Sequence, residues 1–390
     1  MDPDLSALDD FLDDGGFDGY LVHADGEDST QRYLSGFDAP DPYVTLYDGE
    51  RHLLVSSLEY GRARREAPTE DVVRHADFDY GAKREEYGHV EAGHRVIAEF
   101  LAERGVDAVA VPGRFPLAVA DGLRDLDVSV TAETEGVVTD IRATKTEAEL
   151  DFVRATQRAN ERALARAEEL VREASVEDGV LVHDGEALTS ERVRREMEIA
   201  LLREGYALEE SIVACGAAAA DPHDRGNGPL YADEPVIVDV FPRDKESKYF
   251  ADMTRTFVKG TPSDEVRAWY DLTEEALEAA LAAVEPGATG ADVHDAVCDV
   301  YEAAGEPTLR DDPTTETGFI HSTGHGVGLD IHERPSLGPG GGDLEPGMVI
   351  TVEPGLYDPD VGGVRIEDIV VVTEDGYENL TDYPRELVVE

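Results

Sequence analysis

The chain has 390 residues and carries 87 acidic against 34 basic side chains, which gives a formal net charge of −53 and a pI near 4.3. Hydrophobic residues make up 41% of the chain, which is enough for globular folding, so the acidity does not indicate a disordered protein. The charge argues against nucleic acid as a partner, because phosphates would be repelled. An anionic membrane surface is disfavoured for the same reason.

The basic residues are mostly arginine, and only five lysines occur in the chain. The acidic residues are spread along its whole length, which is typical of a protein adapted to molar salt. At about 1 M salt the Debye length is near 3 Å, so self-repulsion is largely screened. An acidic tail on an ordinary protein is the alternative, but no single block of sequence holds the charge. We therefore expect a halophilic protein.

Two features predict the compartment. Cys215 and Cys298 lie in apolar sequence and do not form a disulfide framework, so we expect reduced thiols. The first residues lack the basic start and apolar core of a signal peptide, and no run of about 18 apolar residues is present. We expect a soluble, cytoplasmic protein that does not act at a membrane.

The first part of the chain alternates between short helical and strand patterns. Asp48-Gly49 is a strong turn signal and predicts a hairpin between the flanking apolar segments. The predicted helices are Asp4–Asp14 and Arg84–Arg104, and the predicted strands are Gly19–His23, Tyr43–Tyr47, Arg51–Ser56, Val106–Val111 and Val128–Thr131. This order predicts an α/β domain with a mixed or parallel sheet.

A charged stretch at residues 140–145 precedes a long helical pattern, and we place a domain boundary there, giving domains 1–142 and 143–390. The predicted helices beyond it are Thr146–Ala174, Thr189–Glu204, Ser263–Val284 and Ala291–Ala304. The predicted strands are Ser211–Cys215, Val236–Phe241, Tyr249–Val258, Met348–Glu353 and Val364–Thr373. Because regular βαβ alternation is missing, the pattern predicts an α+β second domain.

Two acidic residues interrupt apolar strands of this second domain. Asp239 lies within Val-Ile-Val-Asp-Val-Phe, and Asp252 lies in the next strand pattern. The polar segment 242–248 would join the two strands as a hairpin, so both carboxylates can face the same side. A buried carboxylate without a partner costs several kcal/mol. Two salt bridges could supply partners, but a shared cation is the simpler account.

Three further segments supply matching groups. His325 lies in a glycine-rich stretch with three histidines, while Glu353 and Glu367 interrupt apolar strands, the latter near Arg365. Four carboxylates and one histidine form an oxygen-rich set that suits Mn²⁺, Co²⁺ or Mg²⁺ better than structural zinc. Two divalent ions would balance four negative charges. This is the charge pattern of a two-metal hydrolytic site.

These five residues stand in the order of the metal ligands of the pita-bread metallopeptidases, a family that includes prolidase, aminopeptidase P and methionine aminopeptidase. The phrases Asp-Met-Thr-Arg-Thr, Gly-His-Gly-Val-Gly-Leu, Val-Glu-Pro-Gly-Leu-Tyr and Arg-Ile-Glu-Asp resemble those of the family, and the likeness covers about residues 141–390. The first domain resembles the creatinase/prolidase N-terminal domain. Methionine aminopeptidase lacks such a domain, which favours the Xaa-Pro branch.

The resemblance implies two divalent metal ions, Mn or Co in the first place. The implied ligands are Asp239, Asp252, His325, Glu353 and Glu367. Asp252 and Glu367 would bridge the ions, and His325 and Glu353 would bind the same ion. The implied reaction cleaves the N-terminal Xaa-Pro bond of a small peptide through a metal-bridging hydroxide, with Glu353 transferring the proton, in a homodimer.

Four residues are implied to act on the substrate. His332, seven residues after His325, would stabilise the tetrahedral intermediate, and His321 would contact the proline end of the substrate. His223 would position the substrate. Arg365 would pair with an acid near the metals or with a substrate carboxylate.

Several alternatives remain open at the level of sequence. A same-fold hydrolase of another small amide, of the ectoine-hydrolase or creatinase type, and a non-catalytic binding module are possible, although the complete ligand set disfavours the second. A dipeptidase cannot be told from an aminopeptidase. Asp239 and Asp252 are thirteen positions apart, where the family usually has eleven, so the loop between them has an unusual length.

The charge predicts a salt requirement. We expect the midpoint of thermal unfolding to fall as KCl is diluted below about 0.5 M, because screening of the −53 charge weakens. Circular dichroism melts over a KCl series check this expectation. A midpoint that stays the same in dilute buffer would contradict the halophilic interpretation.

Overall fold

The computed structural model describes residues 3–285 and 287–390. The chain divides into two compact units, an N-terminal unit (Met1–Arg142) and a C-terminal unit (Ala143–Glu390). Within the described residues, no helix is both long enough and apolar enough to cross a membrane.

The N-terminal unit alternates short helices and strands. Its helices are α1 Ser6–Gly15, α2 Ser29–Ser35, α3 Tyr60–Glu66, α4 Tyr80–Tyr87, α5 His89–Ala102, α6 Leu117–Arg124 and α7 Val137–Ala143. Its strands are β1 Gly19–Ala24, β2 Tyr43–Tyr47, β3 Arg51–Val55, β4 Val72–Arg74, β5 Ala108–Pro112 and β6 Ser129–Glu133. The strand order β4-β3-β2-β1-β5-β6 combines parallel and antiparallel pairs, so of the two predicted possibilities, a mixed or a parallel sheet, the structure has the mixed sheet.

Both faces of this sheet are covered. Leu54 of β3 joins a core cluster with Ile97 and Phe100 of α5, whereas its neighbour Leu53 joins a separate cluster with Ala63 of α3. Successive side chains of a strand point to opposite faces of the sheet. A sheet covered on both faces therefore needs apolar residues at successive positions, and not only at alternate ones. The predicted hairpin at Asp48-Gly49 is present as the antiparallel pair β2 and β3.

One predicted element of this unit is wrong. The single helix expected over Arg84–Arg104 is two helices, because α4 ends at Tyr87 and α5 begins at His89. Gly88 between them has a φ of 83°, a conformation that favours glycine and does not continue a helix. Helical periodicity persists on both sides of the break, so the pattern alone did not reveal it.

The C-terminal unit contains long helices and many short strands. Its helices are α8 Glu147–Glu173, α9 Ser190–Glu204, α10 Asp264–Ala283 and α11 Gly290–Ala304, each within one residue of its predicted ends. Its strands β7–β14 are Ser175–Glu177, Val180–His183, Glu186–Ala187, Tyr206–Ala207, Ser211–Cys215, Val236–Val240, Arg243–Asp244 and Met253–Phe257. Its strands β15–β21 are Gly324–Gly326, Glu333–Leu337, Val349–Val352, Gly355–Asp358, Gly362–Arg365, Asp368–Thr373 and Gly376–Asn379.

The antiparallel sheet β11-β12-β14 packs on helices α8 and α9. Val236, Val238 and Val240 of β12 join the core cluster formed with these helices. Ile237 belongs to a different cluster on the opposite face, and Asp239 shares its parity. The apolar alternation of β12 therefore turns Asp239 away from the helices.

The sheet β16-β15-β17-β20-β21 repeats this arrangement with helices α10 and α11. Ile350 and Val352 of β17 lie in the core cluster that contains these helices. Thr351 between them has the opposite parity, and Glu353, directly after the strand, shares the parity of Thr351. Each sheet thus has a face toward its helix pair and a face that carries polar groups.

The predicted strand Val364–Thr373 is also wrong as a single element. It is divided into β19 and β20, with Ile366 and Glu367 between them. Strand β19 pairs with β18, whereas β20 pairs with β17 and β21, so the chain passes from one sheet to another at this point. Glu367 therefore lies at the junction of two sheets.

The long connection between Asp239 and Asp252 forms a regular hairpin. Asp239 stands opposite Thr254 in the pairing of β12 and β14. The pairing continues outward beyond the strands, where the Ala251 amide donates to the Pro242 carbonyl (3.1 Å). The additional residues lie toward the hairpin tip, and the two acids keep the same side-chain parity.

Candidate metal centre

The polar faces of the C-terminal unit enclose a cavity of about 940 Å³. All nine residues that the sequence singled out line it: His223, Asp239, Asp252, His321, His325, His332, Glu353, Arg365 and Glu367. They come from different strands and loops that are far apart in the sequence. The fold therefore brings the predicted residues to a single place.

The cluster has a compact centre. Ligand atoms of Asp252, His325 and Glu367 lie within 4.8 Å of one another, a grouping that could hold a metal ion. His325 Nε2 is 3.8 Å from Asp252 Oδ2 and 3.5 Å from Glu353 Oε1. The histidine nitrogen thus faces two carboxylates.

The acidic side chains contain buried oxygens for which the described protein supplies no hydrogen-bond donor. These oxygens are Asp239 Oδ1, Asp252 Oδ1 and Glu367 Oε1. The residues are 8%, 5% and 1% exposed, respectively. A buried anionic oxygen without a partner is costly, and oxygen donors of this kind suit a hard divalent cation. The residues present therefore fit a divalent metal ion.

In two of these carboxylates, those of Asp239 and Glu367, the other oxygen is held by the protein. Thr254 Oγ1 donates to Glu367 Oε2 (2.8 Å), and Arg365 Nη2 donates to Asp239 Oδ2 (2.6 Å). Each of these two acids therefore has one oxygen oriented by a neighbour and a second oxygen that remains available. Outer partners of this type orient metal-binding carboxylates.

Crowding of the acids changes their protonation. Burial, together with the carboxylates of Glu367 and Asp239, raises the pKa of Asp252 well above its ordinary value. Burial and Glu353 raise the pKa of Glu367 in the same way. Burial also raises the pKa of Glu353 to about 8. Without a cation the cluster holds protons at neutral pH, and cation binding must displace them.

His325 is prepared to act as a neutral donor ligand. Burial lowers its pKa to about 4, so the imidazole is uncharged at neutral pH. Its Nδ1 lies 3.1 Å from the Gly326 carbonyl and is assigned as the protonated nitrogen, which leaves the lone pair on Nε2. The His325 amide donates to Thr351 Oγ1 (3.1 Å), which fixes the backbone. The free nitrogen is the one that faces Asp252 and Glu353.

Arg365 is tied into the wall of the cavity. Besides Asp239, its guanidinium donates to the Tyr357 hydroxyl through Nη1 (2.9 Å), and His321 Nε2 lies 3.0 Å from that hydroxyl. His321 Nδ1 is 2.7 Å from the Ser322 carbonyl, so Nδ1 carries the proton and Nε2 accepts from Tyr357. Of the two partners expected for Arg365, the structure shows the acid near the metal cluster.

The remaining histidines border the open part of the cavity. The rings of His325 and His332 meet edge to face with centroids 4.3 Å apart. Burial, with a contribution from His223, lowers the pKa of His332, so its ring is neutral near pH 7. His223 is exposed, and its amide donates to Asp221 Oδ1 (3.0 Å).

Sequence reasoning missed three residues that orient this cluster: Thr254, Thr351 and Tyr357. Thr351 Oγ1 lies 3.5 Å from Glu353 Oε1, in addition to its bond with His325. Strand parity could have revealed the two threonines, because Thr254 follows Asp252 by two residues and Thr351 precedes Glu353 by two. Tyr357 has no comparable signal, since its role depends on contacts between distant segments.

A cavity with an oxygen-rich cluster, neutral imidazoles and carboxylates of raised pKa is typical of a metal-dependent hydrolase. The profile of Metallopeptidase family M24 matches residues 151–374, and that of the Creatinase/Prolidase N-terminal domain matches residues 5–144. The chain belongs to metallopeptidase family M24. The creatinase/prolidase and pita-bread resemblance of the sequence is confirmed.

Individual relatives agree with this assignment. The probable dipeptidase PepE of Mycobacterium tuberculosis is 32% identical over 87% of this chain and 83% of its own. The solved structure of an Xaa-Pro dipeptidase from Bacillus anthracis is 26% identical, with a TM-score of 0.83 and coverage of 99% of each chain. An X-Pro aminopeptidase from Thermotoga maritima is 25% identical, with a TM-score of 0.77 over 96% of this chain and 98% of that one.

The raised carboxylate pKa values predict that metal binding releases protons. We expect Mn²⁺ binding to release about one proton or more near neutral pH, and its apparent affinity to rise as pH rises toward about 8, because ionised carboxylates are the ligands. Titration calorimetry in buffers of different ionisation enthalpy measures the release. Glu367→Gln should weaken binding and release fewer protons, whereas the exposed Glu374→Gln should bind like the wild type. Binding without proton release would contradict the prediction.

Proposed function

We propose that this metallopeptidase cleaves the peptide bond between an N-terminal residue and a proline in second position. Two divalent ions, Mn²⁺ or Co²⁺, would be held by Asp239, Asp252, His325, Glu353 and Glu367. The observation that carries this proposal is the set of buried carboxylate oxygens without donors, turned toward one cavity. The substrate class is supported by the Xaa-Pro enzymes among the similar structures.

The chain's own groups supply the proton transfer and the orientation of the substrate. Divalent ions, when bound, lower the pKa of water and polarise a carbonyl group. Glu353 lines the cavity beside His325, and its carboxylate would accept the proton of the attacking water and then donate it to the leaving nitrogen. His332 is neutral and would donate a ring N–H to the oxygen of the scissile carbonyl.

The proline end of the substrate would meet the wall of the cavity that carries His321 and Tyr357. His321 is fixed there by Tyr357 and Ser322, and the exposed His223 would position the peptide from the rim. Because a proline nitrogen carries no hydrogen in the peptide, the site must protonate a tertiary amide as it leaves. Proton delivery by Glu353 meets this need.

Arg225, at the edge of the cavity, is relevant to the length of the peptide that the site prefers. Arg225 lines the cavity and pairs with Glu210, and both side chains are more than half exposed. Exposed ion pairs contribute little stability, so Arg225 can exchange Glu210 for the carboxylate of a bound dipeptide. Arg365, by contrast, is fully committed to buried partners. We therefore propose dipeptides as the preferred substrates, with longer Xaa-Pro peptides as the second candidate.

Three further properties complete the proposal. The N-terminal unit would be the creatinase/prolidase-type domain, 1–142, and the C-terminal unit the pita-bread catalytic domain, 143–390. The enzyme would work as a homodimer. It would reside in the cytoplasm, which is supported by the free state of Cys215 and Cys298.

An assay in high salt tests this function. Mn²⁺-loaded enzyme should release the first residue from Xaa-Pro dipeptides, and it should act more slowly on the same dipeptides with an amidated C-terminus. Asp252→Asn should reduce the rate at least about 100-fold, because a ligand between several carboxylates is lost.

The panel also contains Xaa-Pro-Xaa tripeptides and ectoine. Cleavage of tripeptides alone would assign aminopeptidase activity, and cleavage of ectoine alone would replace the peptide substrate by another amide. If no Xaa-Pro peptide is cleaved, or if Asp252→Asn is as active as the wild type, the proposed function is wrong.

A further inference from the structure

A buried ion pair lies beneath the segment that carries His332. Lys145 Nζ donates to Glu333 Oε1 at 2.5 Å, and both side chains are only 1% exposed. Lys145 Nζ also donates to the Ala143 carbonyl (3.0 Å), and the Lys145 amide donates to the Gly347 carbonyl (2.9 Å). Lys145 is therefore anchored by its backbone and its side chain, just before α8 and beside β17.

Glu333 is the direct neighbour of His332 and begins strand β16. His332 lines the cavity, whereas Glu333 does not, as expected for successive residues that point to opposite sides. The ion pair therefore occupies the buried underside of the segment whose upper side faces the substrate. Neither Lys145 nor Glu333 has a role in the proposed chemistry.

The Glu333 carboxylate also contacts the loop that leads to His332. A Cβ atom added to Gly328 would lie 2.2 Å from Glu333 Oε1, so the carboxylate packs directly against the Gly328 backbone. The loop from Gly328 to His332 has no regular secondary structure. Its course between β15 and β16 depends on what it packs against, and one such group is a carboxylate held by Lys145.

We propose that Lys145 and Glu333 are positioning residues for His332. The ion pair fixes the carboxylate on which the 328–332 loop rests, and the loop in turn holds the His332 ring against His325. A buried lysine and a buried glutamate stabilise each other in this place, because burial of a charge without its counter-charge is disfavoured. Neither side chain can move independently, which makes the pair a rigid support for a loop residue.

The loss of one partner would leave a buried charge and could prevent folding, so the central variant is the neutral pair Lys145→Met/Glu333→Gln. It removes both charges while keeping similar volumes. We expect this variant to fold and to bind Mn²⁺ like the wild type. Its kcat on an Xaa-Pro dipeptide should fall about 10-fold or more, with KM changed by less than about 2-fold, because an orienting contact is lost. Leu170→Ala, a core substitution in α8 away from the cavity, is the control for lost stability and should keep kcat.

A double-mutant cycle tests whether the effect passes through His332. In a His332→Gln background, the neutral pair should reduce kcat by less than about 2-fold further, because the residue that it positions is already gone. Full additivity of the two effects, or a wild-type kcat in the Lys145→Met/Glu333→Gln variant, would overturn the proposal.

The kinetic test rests on the proposed function, so a second readout is independent of hydrolysis. In protein labelled with ¹³C at histidine Cε1, the His332 signal is assigned by its loss in His332→Gln. The neutral pair should shift or broaden this signal, whereas Leu170→Ala should leave it in place. An unchanged His332 signal in the neutral pair would overturn the positioning role even if no Xaa-Pro peptide is cleaved. Absence of cleavage by the wild type would instead refute only the proposed function.

Discussion

The C-terminal unit depends on one electrostatic constraint, the burial of several carboxylates around a single cavity. Asp239, Asp252 and Glu367 are buried, and each keeps one oxygen to which the described part of the chain supplies no donor. Burial, together with neighbouring carboxylates, raises the pKa of Asp252 and of Glu367, so the cluster favours binding of protons or cations. The same repulsion between the acids favours the binding of positive charge in the cavity, and oxygen donors of this kind suit a divalent cation.

The fold brings the acids to one cavity because alternate residues of a strand point to opposite faces of the sheet. Valines at alternate positions of β12 fix that strand to α8 and α9, and Ile350 and Val352 fix β17 to α10 and α11. The intervening residues must then point to the cavity. Arg365 and Thr254 orient two of the acids, and the Lys145–Glu333 pair supports the loop that presents His332. The active groups are thus held by elements whose own packing is apolar and rigid.

Much of this arrangement could be predicted from the sequence, for a physical reason. An acid within an apolar strand pattern, such as Asp239, can be recognised from the sequence as a candidate site residue. Burial of a charge is so unfavourable that such a residue needs a specific partner. Local patterns also gave the ends of α8 to α11 to within one residue. What could not be predicted depends on long-range geometry. The break at Gly88 and the change of sheet at Glu367 interrupt patterns that continue on both sides.

For the site as well, local sequence patterns could be interpreted, whereas contacts between distant segments could not be predicted. The nine predicted residues are brought together, but their partners were not foreseen, because Tyr357 and Glu333 acquire their contacts only when distant segments meet. The surface charge is separate from this chemistry. Few of the 87 acids are buried within the described residues, and three of the buried ones, Asp239, Asp252 and Glu367, line the cavity.

The central claim is that the buried acids bind two divalent ions, and anomalous diffraction from crystals grown with Mn²⁺ tests it most directly. The account predicts two manganese peaks about 3.5–4 Å apart between Asp252 and Glu367, with Asp239, His325 and Glu353 completing the coordination. Manganese bound elsewhere, or a cavity without manganese at saturating concentration, would contradict it.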